Sequence, residues 1–182
     1  MPEDVSKDRN GVTPHHTRDN SSLTASLEKR VLVWLARRTP NAVSSDHLTL
    51  LGLAAMFFAG FFFWAGRWSP YALFGVVFCL ALNWLGDSLD GTLARVRDRQ
   101  RPRYGFYVDH VVDVFGAAFL MIGLALSPYM SSMVGLGLLL SYLMLSAEIY
   151  LATHTVGIFR ISYWKLGGTE LRILLAAGTI YA

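Results

Sequence analysis

Four carboxylates beside long apolar runs are the residues of this 182-residue chain whose types and spacing point most directly to chemistry. Asp87 and Asp90 stand in N-W-L-G-D-S-L-D-G-T-L-A-R, and Asp109 and Asp113 in G-F-Y-V-D-H-V-V-D. On a helix advancing about 100° per residue, Asp87, Asp90, Gly91 and Ala94 fall within about 100° of one another, and the i, i+4 pair Asp109 and Asp113 also shares a face. Two helices joined by a short link can therefore aim four carboxylates at one spot. Ionised acids deep in a bilayer cost roughly 2.5 to 3.5 kcal/mol each on insertion scales, so four would cost on the order of 10 kcal/mol. A water-filled cavity, nearby arginines or bound cations must offset that. Hard oxygen donors without a thiolate favour magnesium, manganese or calcium over zinc. Acids that snorkel to the interface and pair with arginines are the plainer reading. They account for neither the shared face nor the small residues Gly91, Ala94 and Gly105 beside it. Such a face lets a phosphorylated ligand approach the backbone closely, although small residues in a membrane also serve helix packing.

The elements that must position these acids are membrane spans. The chain is 53% hydrophobic and only 16% charged. Its apolar stretches run roughly from His47 to Gly66, Tyr71 to Gly86, Phe106 to Leu126 and Ser132 to Ala152, each near the roughly 20 residues that a bilayer requires. The fold class read from this pattern is all-α, a polytopic transmembrane helix bundle. A further apolar stretch opens at Leu171 and runs about 12 residues to Ala182, too few to cross, so further C-terminal spans are expected beyond it.

Residues 23–39 read as an interfacial amphipathic helix. Leu27, Val31, Trp34 and Leu35 share one side, while Glu28, Lys29, Arg30, Arg37 and Arg38 supply the polar remainder. Pro40 ends it. Residues 1–22 are polar and mixed in charge, which suits a disordered tail and not a secretory signal. Residues 40–182 then form the transmembrane domain. The net charge of +3 is too small to suggest nucleic acid, and the positive residues are clustered. Arg95, Arg97, Arg99, Arg101 and Arg103 crowd the link between the second and third spans, and Arg160 and Lys165 follow the fourth. The positive-inside rule puts these segments, the N-terminus and with them the aspartates on the cytoplasmic side. The single cysteine, Cys79, excludes an internal disulfide.

The pair of segments D-S-L-D-G-T-L-A-R and G-F-Y-V-D-H-V-V-D resembles the signature D-x-x-D-G-x-x-A-R, about eight residues, G-x-x-x-D-x-x-x-D of the CDP-alcohol phosphotransferases. All eight fixed positions are filled, by Asp87, Asp90, Gly91, Ala94, Arg95, Gly105, Asp109 and Asp113; the departure is a nine-residue link from Val96 to Tyr104. P-N-A-V-S at residues 40–44 is similar to the P-N-x-x-T or S that opens the family's first span, which makes Asn41 either a binding residue or a turn residue. The resemblance extends from about residue 27 to 182, and it implies an interfacial helix and six spans, of which four and part of a fifth are present.

It further implies metal-dependent transfer of a substituted phosphate from a CDP-alcohol to an acceptor alcohol with release of CMP, in phospholipid biosynthesis. Two divalent ions, magnesium or manganese, would be held by Asp87, Asp90, Asp109 and Asp113. Arg95 would face a phosphate, with Asn41, Gly91, Ala94 and Gly105 lining the substrate. The expected partners are the CDP-alcohol donor, the acceptor alcohol, membrane lipids and a second copy of the chain, with no nucleic acid. Asp113 is the candidate general base by resemblance. A carboxylate beside two cations is a poor base, however, because positive charge lowers its pKa. D-H-x-x-D, A-E-I-Y and G-G-T-E are similar to F-D-H-G-x-D, W-E-E-Y and G-P-T-E of the choline and ethanolamine branch, and they offer His110 oriented by Glu148 instead. A buried polar pair in helix packing is the plainer account of those two residues. His154 and Glu170 read as interfacial.

Two other functions compete. Asn83, Asp87 and Asp90 faintly echo the N-D-x-x-D-x-x-x-D of intramembrane prenyltransferases, but the spacing is wrong. A cation transporter or channel subunit would spread its acids through the depth of the membrane, whereas these four cluster at one end.

Overall fold

The structure, a computed structural model, describes residues 25–156 and 168–181. Arg160, Lys165 and the side chains of Leu27, His154 and Glu170 lie outside the described residues. Among the described residues the elements are helices alone: α1 (Ala25–Arg38), α2 (Ser45–Ala65), α3 (Ala72–Val96), α4 (Pro102–Ala125), α5 (Ser132–Val156) and α6 (Gly168–Tyr181). Four of them, α2 to α5, carry segments long and apolar enough to cross a membrane. The chain forms the all-α polytopic bundle expected of it.

The helices outrun the apolar stretches that announce them. α3 continues from Gly86 to Val96, and α4 begins at Pro102 ahead of Phe106, so the link narrows to residues 97–101. Both acid pairs therefore lie within continuous helix. At 25 residues, α3 is about 37 Å long, more than the roughly 30 Å of hydrocarbon in a bilayer. Its last turns can carry polar residues without leaving the helix. Asp98 then adopts a left-handed backbone (φ 52), and the N–H groups of Arg97, Asp98 and Arg99 collect the terminal carbonyls of Leu93, Arg95 and Ala94. α2 starts on a reciprocal cap: the Ser44 hydroxyl accepts from the His47 N–H at 3.3 Å, and His47 Nδ1 accepts from the Ser44 N–H at 3.1 Å. α6 begins at Gly168, three residues before the apolar stretch that starts at Leu171.

α2 is the central element. Its Ala55, Ala59 and Phe63 meet Val76, Cys79 and Leu80 of α3 and Leu120 and Leu124 of α4 in the main core. Lipid is as apolar as these side chains, so close packing must hold the helices together. Glycines permit it. A Cβ on Gly86 would come within 2.6 Å of the Leu48 carbonyl oxygen and crowd Gly52, and one on Gly123 would strike the backbone of Gly60. α1 rests on the ends of α2 and α3, burying Leu32 and Ala36 against Leu48, Leu89 and Leu93. The apolar side expected of α1 is thus divided, with Leu35 packed inward and Val31 and Trp34 exposed. The face that docks lies one residue further round, because α1 has the bundle on one flank.

Candidate active site

The first turns of α2, the last turns of α3 and the first turns of α4 enclose a narrow cleft lined by Asp87, Asp90, Asp109 and Asp113, with Thr49 and Asn83 beside them. The helical spacing explains the convergence. Asn83 and Asp87 are one turn apart on α3, Asp109 and Asp113 one turn apart on α4, and each pair faces the other helix. The space open to a water-sized sphere is about 10 Å³, room for one water or one small ion.

The four carboxylates have different surroundings. Asp90 is the deepest, with 6% of its surface exposed. Thr49 Oγ1 donates to its Oδ2 at 2.6 Å and the Gly91 N–H donates to its Oδ1 at 2.5 Å, while the Ser45 hydroxyl donates to its carbonyl at 2.9 Å. Three residues earlier, Asp87 is 40% exposed and pairs with Arg172 of α6, whose Nη2 donates to its Oδ2 at 2.6 Å. Arg172 Nε donates to Asn83 Oδ1 at 2.8 Å, and Asn83 Nδ2 donates to the Gly52 carbonyl at 3.1 Å, tying α3 to α2. Asp109 and Asp113 form the exposed wall.

Among the described residues no three acidic, histidine or thiol side chains converge tightly enough to close on a single ion. Thr49 and Arg172 hold two of the carboxylates to the walls. In kind, the donor set fits a hard divalent cation. It consists of four carboxylates with a hydroxyl and an amide nearby, and neither thiolate nor imidazole lines the cleft.

The remaining expected site residues are distributed as follows. Gly91 and Gly105 have open space where a Cβ would stand, so neither serves helix packing as Gly86 does. Ala94 is half-buried and Arg95 is exposed, with Arg95 Nη2 donating to Thr92 Oγ1 at 3.1 Å. Asn41 is an exposed residue of the turn between α1 and α2, outside the cleft lining. That turn is fastened by the arginine run: Arg97 donates to the carbonyls of Thr39, Pro40 and Val43, and Arg101 pairs with Asp46 at 2.6 Å. His110 and Glu148 are not in the cleft lining either. The His110 ring sits against Phe106 at 4.0 Å and Tyr150 at 4.4 Å, its Nδ1 lies 2.6 Å from the Phe106 carbonyl, and it lines a separate apolar groove of about 360 Å³ between α4 and α5. Glu148 is exposed on α5.

Three residues at the site escaped sequence reasoning as site residues. Thr49 resembles any hydroxyl in a membrane helix and gives no local signal. Asn83 had one, since it stands a turn before Asp87. Arg172 had a stronger one, a cation just inside an apolar stretch, where ionisable side chains are uncommon and functional by default.

A CDP-alcohol phosphatidyltransferase family profile matches residues 42–181. The chain belongs to that family. No curated protein and no solved structure matches it. The family transfers a phospho-alcohol unit from a CDP-alcohol to a second alcohol in a membrane setting, and its members generally use divalent metal ions. The match leaves the prenyltransferase and transporter readings without support.

Proposed function

We propose that this chain uses the aspartate cleft to transfer a substituted phosphate from a CDP-alcohol to an acceptor alcohol in phospholipid synthesis, releasing CMP on the cytoplasmic side. What carries the reading is the convergence of all four signature aspartates on one cleft in a chain of this family. Asp87, Asp90, Asp109 and Asp113 would hold magnesium or manganese, which supplies positive charge against the donor pyrophosphate and the departing CMP. The open backbone beside Gly91 and Gly105 admits the donor, with Ala94 on the same face, and Arg95 meets a phosphate. Asn41, at the turn pinned by Arg97, is a further donor contact.

The acceptor hydroxyl oxygen forms a bond to the phosphorus on the alcohol side of the pyrophosphate. The bond from that phosphorus to the CMP oxygen breaks, and CMP leaves with the electron pair. The hydroxyl proton passes to Asp113, which lines the cleft as His110 does not. The topology rests on the basic link between α3 and α4.

The test is CMP release by the purified protein supplied with CDP-diacylglycerol or CDP-ethanolamine, magnesium and a panel of acceptor alcohols. Magnesium-dependent CMP release that requires an acceptor is expected. Release in excess chelator, or none with any donor, would contradict the proposal.

A further inference from the structure

Arg172 is unlike the arginines of the link between α3 and α4. It lies on α6 within T-E-L-R-I-L-L-A-A-G, and its side chain is 21% exposed. The guanidinium reaches across to α3 and is held at two points, Asp87 Oδ2 at 2.6 Å and Asn83 Oδ1 at 2.8 Å. Asn83 is itself anchored on the Gly52 carbonyl. The guanidinium is therefore held against the α2–α3 pair at the edge of the aspartate cleft.

This placement has two electrostatic consequences. An arginine among apolar residues is unfavourable in a membrane, and Asp87 compensates it. Asp87, in turn, is one of four carboxylates around one narrow space, whose mutual repulsion the guanidinium relieves. A divalent ion brought to the same cleft meets a full positive charge already on a ligand oxygen, and like charges this close repel. An arginine cannot yield by losing a proton. It can yield only by moving.

We infer that Arg172 is a built-in counter-cation that competes with a divalent metal for Asp87, so that metal loading releases its guanidinium and loosens α6 from α3. The inference rests on the metal reading of the cleft given above. Linkage makes the competition reciprocal: whatever factor the metal imposes on the Arg172–Asp87 pair, Arg172 imposes on metal affinity. The opposing account is a permanent support, in which Arg172 orients Asp87 toward the metal and its loss weakens binding by about 10- to 100-fold. The two accounts predict opposite signs. Competition is favoured because Arg172 sits directly on an Asp87 oxygen and, together with Thr49, holds two of the cleft's carboxylates apart, so that among the described residues no three close tightly enough on a single ion.

The test uses the whole chain in detergent micelles, with manganese affinity read from the spin-resonance signal of free ion and melting temperature read in chelator and in manganese. Arg172→Gln is expected to bind manganese about 5- to 150-fold more tightly than the parent protein, to melt lower in chelator, and to gain more from added metal. Arg172→Lys keeps the charge but loses the forked grip on Asn83 and Asp87, and should fall between the two. It also carries the test should the Gln variant not fold. Unchanged or weaker manganese binding in the variants, with binding by the parent still lost in Asp87→Asn, would overturn the competition and make Arg172 a permanent support. Manganese binding indifferent to both Asp87→Asn and Asp109→Asn would overturn the metal site itself, and the inference with it.

Discussion

Asp113 and His110 are three residues apart on α4 and have different surroundings. Asp113 lines the cleft with the other three acids, whereas His110 packs against Phe106 and Tyr150 in an apolar groove. A base must reach the proton it takes, so geometry ranks Asp113 first even though metal charge nearby weakens a carboxylate as a base. Asp113→Asn should lower turnover by at least about 100-fold, and His110→Ala should leave it within about 10-fold of the parent value. Steady-state rates from about pH 6 to 9 check this, because an imidazole base titrates inside that window. A loss of about 100-fold or more in both His110→Ala and Glu148→Gln would restore the histidine as base with the glutamate orienting it. The acids themselves were legible because two carboxylates one helical turn apart announce a face. Thr49 gave no signal, and Arg172 signalled a function but not its partner, since each approaches the acids from a different helix and no local spacing states which helices will pack together.

At the scale of elements, glycines divide into two kinds that composition cannot separate. Gly86 lets α3 approach the backbone of α2, while Gly91, five residues on, faces open space. Gly86→Val should therefore cost about 1 to 3 kcal/mol or more through overpacking. It should show as a lower melting temperature in micelles, with Gly91→Val melting as the parent does. The activity of Gly91→Val should nevertheless fall, because its side chain would fill space meant for the donor. Full activity in Gly91→Val would remove that glycine from the substrate site. The same scale shows why apolar stretches and helices differ in extent: hydropathy marks where lipid begins and stops, but backbone hydrogen bonding carries α3 on to Val96 and starts α4 at Pro102. The signature lies on those polar extensions, so of the nine residues from Val96 to Tyr104 that separate its two halves only 97–101 lie outside helix.

The described residues form a bundle with four helices long and apolar enough to span a membrane, and every acid of the cleft lies at one end of it, the end that also carries the arginine run. The architecture was legible because stretches of about 20 apolar residues have few other uses, and the division of α1 between bundle and surroundings was not, because amphipathicity does not name the surface it faces. The proposed topology, argued from charge asymmetry, has the cleft end in the cytoplasm. A cysteine at the exposed Arg99 position should thus react with an impermeant reagent from the cytoplasmic side only, with little background from Cys79, which is buried. Labelling from outside intact cells would reverse the topology. The central claim, that the converged aspartates run metal-dependent chemistry on a CDP-alcohol, is tested most directly by CMP release from matched preparations of parent and Asp109→Asn protein, with magnesium and with chelator. The account predicts magnesium-dependent release by the parent and at least about a 100-fold loss in a variant that remains folded; undiminished release by Asp109→Asn, or by the parent in chelator, would contradict it.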